Sequence, residues 1–183
     1  VHASYRFDVE NIYPFCVDPL NFVYNESLFS EEGFDNDFIN DFLIYIENNK
    51  PDFMSQNLLK KGLQSAGNLF LRDDKIINKL KNIINKKIED YKERYSDSEQ
   101  GIINKWPQNY SLYGWLIEIE KEGNLNAHIH KEGWISGSIY FNLPNNKDTD
   151  EGKLKVGLHG ANYPNDIKIF EEKILPITTG DIV

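Results

Sequence analysis

The feature that most constrains this chain is a change of hydrophobic period at Trp106-Pro107. After it, Tyr113, Trp115, Ile117 and Ile119 alternate with Gly114, Leu116, Glu118 and Glu120, and a period of two is the pattern of a strand. The turn formers Glu122-Gly123-Asn124 lead into a second extended stretch. Further strands are predicted over 135–143, 153–159, within 167–177 and from Gly180, set apart by the polar runs PNNKDTDEG and GANYPND. Before the change, Phe38, Ile39, Phe42, Leu43 and Ile46 recur at helical spacing over 35–49, and Pro51 ends that helix. Ile76, Leu80, Ile84, Ile88, Tyr91 and Tyr95 form one stripe of a longer helix over about 74–95, with Asp73 or Asp74 placed to cap it. Residues 5–29, interrupted by Pro14 and Pro19, read as short extended pieces. Residues 54–70 read as loop with a short extended part, where Gln64, Ser65 and Asn68 fit loop polarity better than a site.

Helices followed by a run of antiparallel strands give an α+β fold. Its sheet is expected to close into a double-stranded barrel of jelly-roll, cupin-like form, with the N-terminal helices packed on it. The length of 183 residues fits one domain, with 1–105 supplying N-terminal strands and helices and 106–183 the barrel core. A net charge of -9 argues against a nucleic-acid partner, because phosphate binding needs a concentrated basic surface. A single cysteine, Cys16, excludes an internal disulfide and fits a reducing cytoplasmic compartment. No apolar run is long enough to span a bilayer, so no membrane association is expected. The chain opens on Val1, and LPITTGDIV begins a new apolar alternation at its other end, so the sequence is read as a piece of a longer protein.

The chemistry concentrates in GNLNAHIHKEGWISGSIYFNLP. His128 and His130 are spaced so that on a strand both point the same way. Imidazoles suit Fe, Zn, Ni and Cu, and an open-sided metal site needs only three protein ligands. Chance spacing accounts for a bare H-x-H about as well. The polar face Ser136, Ser138, Tyr140 and Asn142, opposite Ile135, Gly137, Ile139, Phe141 and Leu143, adds weight to a lined cavity, with plain solvent exposure as the alternative.

The run HIHKEGWISGSIYFNLP, preceded by GWLIEIEKEG and followed by EGKLKV and ILPITTGDIV, resembles the iron(II)/2-oxoglutarate-dependent oxygenases. In particular it is similar to a bacterial and phage-borne group whose members often follow a tetratricopeptide-type region. The resemblance implies a double-stranded β-helix and an oxidoreductase that uses Fe(II) and 2-oxoglutarate to hydroxylate a substrate, releasing succinate and CO2. On that pattern His128 and His130 are metal ligands, although His130 stands where most relatives have a carboxylate. That exchange removes one negative charge and favours nitrogen-loving metals. Tyr140, Asn142 and Ser136 fall on the cofactor side, and Trp134 and His159 on the substrate side. The third ligand and the basic residue for the 2-oxoglutarate carboxylate are expected past Val183. The substrate, a peptide or a small molecule, is not specified by any loop. A three-histidine cupin-type dioxygenase without 2-oxoglutarate and a non-enzymatic β-sandwich binding module are the competing readings.

Overall fold

Asp35 opens the first long helix: its carboxylate accepts the N–H of Phe38 at 2.8 Å, satisfying one of the donors a helix start leaves unpaired. The computed structural model describes residues 2–12, 14–144, 152–159, 163–164 and 169–183. Its helices are α1 (His2–Phe7), α2 (Asn36–Asn48), α3 (Lys75–Arg94) and α4 (Gly101–Asn104). Its strands are β1 (Glu26–Ser27), β2 (Phe53–Met54), β3 (Leu59–Ser65), β4 (Ile117–Leu125), β5 (Leu154–Gly157), β6 (Glu172–Leu175) and β7 (Asp181–Ile182). The chain divides into two compact units, each gathered from separated segments. One comprises 27–91 with 108–127; the other comprises 1–26, 92–107 and 128–183.

In the first of these, α2 buries Phe38, Ile39, Phe42 and Ile46, while Leu43 of the predicted stripe faces solvent. The buried line of α3 is Ile77, Leu80, Ile83, Lys87 and Tyr91; it keeps Leu80 and Tyr91 of the predicted stripe and takes the neighbours of Ile76, Ile84 and Ile88. The paired isoleucines at 76–77 and 83–84 let either member lead, and packing selects Ile77 and Ile83. Lys87 is admitted among them because its ammonium lies 2.5 Å from Glu31 and 2.9 Å from Asp90, with Lys86 also paired to Glu31. A buried charge persists only when so paired.

The sheet of this unit runs β2-β3-β4, antiparallel throughout. The stretch 54–70, expected as loop with a short extended part, contains a seven-residue strand. Lys60, Lys61 and Gly62 give it little strand character of its own, and β4 supplies the ladder that fixes it. The turn expected at Glu122-Gly123-Asn124 lies inside β4. The register moves from Lys60↔Asn124 to Gly62↔Ile119, and Lys61 (φ 49°) and Glu122 (φ 62°) take left-handed backbone beside a 2.7 Å ion pair between them. The turn residues make an irregularity in the ladder rather than a reversal of the chain. A Cβ on Gly123 would stand 2.5 Å from the Lys61 carbonyl, so the close approach requires glycine.

Residues 113–116 precede β4 instead of starting it. Ser65 and Asn68 hold them: the Leu116 N–H donates to Ser65 Oγ at 2.9 Å, and the Gly114 N–H donates to Asn68 Oδ1 at 2.9 Å. Gln64 accepts from Gln56 at 3.0 Å. The uncharged polar residues of this stretch serve backbone and side-chain pairing.

In the second unit, the residues expected to be extended at the N-terminus include α1. Among the described residues its buried apolar side chains are Cys16, Leu20, Tyr24 and Phe170, and burial pushes the Cys16 thiol up to about 11, with Asp18 adding to the rise. β5 and β6, within the stretches 153–159 and 167–177 expected to be extended, pair antiparallel from Leu154↔Leu175 to Gly157↔Glu172. β7 pairs with residues 138–140: Ser138 and Val183 exchange both backbone hydrogen bonds, and the Tyr140 N–H donates to the Asp181 carbonyl at 3.0 Å. The ladders β2-β3-β4 and β5-β6 are antiparallel, and among the described residues no helix is long and apolar enough to cross a membrane. Most of the PNNKDTDEG and GANYPND runs lies outside the described residues.

Candidate metal centre

The histidine pair sits directly after β4. The last bond of that ladder region is the Asn126 N–H to the Leu58 carbonyl at 2.8 Å, and 126–130 then leave the sheet. The expected histidine-bearing strand is an irregular segment: 126–130 carry no strand. The two side chains nevertheless converge. His128 Nε2 and His130 Nε2 are 3.1 Å apart, with ring planes at 82°. At that separation one imidazole N–H donates to the other ring's lone pair. Partial desolvation, then the charge of His128, holds His130 below the ordinary imidazole range, and Glu132 pulls the other way. Both effects keep a nitrogen lone pair available near neutral pH.

The pair fits a shared cation. Two nitrogens 3.1 Å apart, each about 2.0–2.1 Å from one ion, subtend about 100° there, an angle proper to neighbouring ligands. Among the described residues no third His, Cys, Asp or Glu joins them.

Tyr140 lies on the segment paired with β7. Its backbone is held on both sides, by the Asp181 carbonyl and by the Gly180 N–H, which donates to the Tyr140 carbonyl at 2.7 Å. Gly180 takes φ 90°, a left-handed position in the turn that the Asp181 N–H closes on the Thr178 carbonyl at 3.1 Å. Asp181 is buried, and its Oδ2 accepts from the Thr178 N–H at 2.7 Å and from the Thr178 hydroxyl at 3.1 Å. Burial first, and the Asp181 charge second, raise the Tyr140 phenol above its ordinary value against a hydrogen bond from Ser138. The phenol is thereby kept as a neutral donor. The roles of Thr178, Asp181 and Ser138 were not read from the sequence. The signal was present in T-T-G-D, a turn whose third residue is glycine and whose fourth can reach back to the first.

The remaining predicted residues are dispersed in role. Ser136 and Asn142 are exposed. Trp134 packs edge-on against Phe15 at 4.8 Å and donates its indole N–H to the Ile102 carbonyl at 2.9 Å. His159 Nδ1 stands 3.6 Å from Glu172, which also pairs with Lys155 at 3.0 Å. The structure brings His128 and His130 together and clamps Tyr140. It engages Trp134 and His159 with their own neighbours.

Residues 113–183 match the family model described as "Putative 2OG-Fe(II) oxygenase", the family the sequence resembles. The matched segment contains every residue named above as a candidate ligand, cofactor contact or substrate contact. No curated protein and no solved structure matches the chain.

Proposed function

We propose that this chain is an Fe(II)- and 2-oxoglutarate-dependent dioxygenase that hydroxylates a peptide or small molecule, with release of succinate and CO2. The observation that carries this reading is the convergence of His128 and His130 Nε2 at 3.1 Å inside the segment that matches the oxygenase family. The proposal includes a double-stranded β-helix as the framework, to which β5, β6, β7 and the segment at 138–140 contribute antiparallel pairs.

Bound iron and cosubstrate supply oxidising power that no side chain has. The protein's own contributions are narrower. His128 and His130 present two imidazole nitrogens 3.1 Å apart. Tyr140, kept protonated by burial and by Asp181, donates a hydrogen bond to a cosubstrate carboxylate. Ser136 and Asn142, exposed beside it, add polar contacts on the cofactor side. His159 and Trp134 face the substrate side in this reading.

The test is metal content and turnover of the purified protein. Iron or cobalt should be retained, with loss in His128→Ala, and succinate should form only when iron and 2-oxoglutarate are both supplied. No metal at a site sensitive to His128→Ala overturns the enzyme reading. Metal-dependent oxidation without 2-oxoglutarate transfers it to the three-histidine dioxygenases.

A further inference from the structure

His128 and His130 stand at the end of a segment, 126–130, that carries no strand, so a strand ladder does not set where their rings meet. The chain just after them is held by other means. The Gly133 N–H donates to the His130 carbonyl at 3.3 Å and closes a turn over 130–133. A Cβ on Gly133 would stand 3.2 Å from the Ile135 carbonyl, so the turn is tight on its far side as well. Trp134 is the first residue past this turn. Its indole N–H donates to the Ile102 carbonyl at 2.9 Å, and its ring meets Phe15 edge-on at 4.8 Å and Trp106 at 6.3 Å.

The receiving side is built from α4. A helix of four residues has open donors and acceptors at both ends. The Ile102 N–H donates to the Phe15 carbonyl at 2.9 Å, and the Ile102 carbonyl takes the Trp134 indole. Gly101 lets Phe15 lie this close, since a Cβ there would stand 3.1 Å from the Phe15 carbonyl and 3.3 Å from its Cα. Ile102 thus ties Phe15 on one side and Trp134 on the other. A half-buried indole, with an apolar body and one polar tip, is well suited to such a tie.

We propose that Trp134 is a positioning residue for the histidine pair, its indole hydrogen bond to α4 setting where His130 meets His128. The inference rests on the metal-site reading above and gives Trp134 a task separate from substrate contact. With the turn closed and Trp134 tied to Ile102, the backbone of His130 is fixed relative to α4, and the 3.1 Å approach of the two Nε2 atoms follows from it. Groups that orient metal ligands without touching the ion act on affinity by this route.

The test uses the full chain, metal-free and with cobalt(II). In the metal-free form, imidazole nitrogen resonances report the tautomer of each ring and the hydrogen bond between them. Trp134→Phe keeps an aromatic ring against Phe15 and Trp106 and removes the donor. It should shift the His128 and His130 nitrogen resonances and weaken cobalt, measured by calorimetry, by about tenfold. A merely structural role would lower the urea midpoint and leave both readouts native in the folded protein. Gly101→Ala, which presses on Phe15 and shifts α4 with Trp134 intact, should change both readouts in the same direction. Native resonances and native cobalt affinity in folded Trp134→Phe, or in Gly101→Ala should that variant alone fold, overturn the inference. Absence of His128→Ala-sensitive cobalt binding in the native chain overturns the metal reading instead, and the metal-free resonances still decide whether Trp134 places the pair.

Discussion

Single residues in this protein carry charge in unlike settings, and Glu31 carries the most. Hydrogen bonds from Lys86 and Lys87 hold its carboxyl below the usual range, and Lys87 is itself buried. A carboxyl with a lowered folded value stabilises the fold above its unfolded value of about 4.3, and that contribution is lost as pH falls toward the folded value. Glu31→Gln should therefore destabilise the protein at neutral pH by about 3 kcal/mol, the low end for a broken buried pair because Asp90 still faces Lys87. The deficit should shrink as pH falls below about 4.3, where the unfolded chain's carboxyl takes up a proton that the folded Glu31 resists. Denaturant titrations across that range check both the size and the pH trend; a constant deficit would show that the carboxylate charge is not the cause. Nothing in the sequence marks Glu31, because its partners lie on α3, far along the chain. His128 and His130 were legible because two imidazoles two residues apart are chemically conspicuous. The setting of Tyr140 was not, since its neighbours Asp181 and Thr178 reach it only through pairing with β7.

At the scale of elements, legibility followed the range of the interactions. α2 and the body of α3 were readable because capping and periodicity are local. β5 was readable because Leu154, Lys155 and Val156 alternate, and β6 falls within the stretch 167–177 expected to hold extended residues. β3 was not, because Lys60, Lys61 and Gly62 weaken its own preference and a distant strand supplies its ladder. The residues at Glu122-Gly123 were read as a turn because left-handed backbone and glycine serve turns and bulges alike. The pairing that positions Tyr140 rests on a similar close approach. A Cβ on Gly137 would stand 2.6 Å from the Val183 carbonyl, the same oxygen that accepts the Ser138 N–H at 2.9 Å. Gly137→Ala should move β7 away from 138–140 and destabilise the protein by about 1–3 kcal/mol. A lower urea midpoint at an unchanged slope would show this, and an unchanged midpoint would mean that the strand yields freely.

For the molecule as a whole, the segment that matches the oxygenase family is not one of its compact units. Residues 113–127 belong to one unit and 128–183 to the other, and β4 lies inside the match while its partner β3 lies outside it. A fragment of residues 106–183 should therefore lack a cooperative unfolding transition and dispersed amide resonances, both of which the full chain should show. A cooperative melt of the fragment would demonstrate that the barrel core folds alone. The same connectivity bears on how the chain is made. Leu59 pairs with Leu125, so β3 leaves the ribosome well before the strand that will complete its sheet. Until then its exposed edge could recruit a neighbouring nascent chain. Lys60 and Lys61, with the left-handed kink at Lys61, make that edge charged and uneven. The pair that obscured this strand in the sequence also makes its edge a poor template for a second chain.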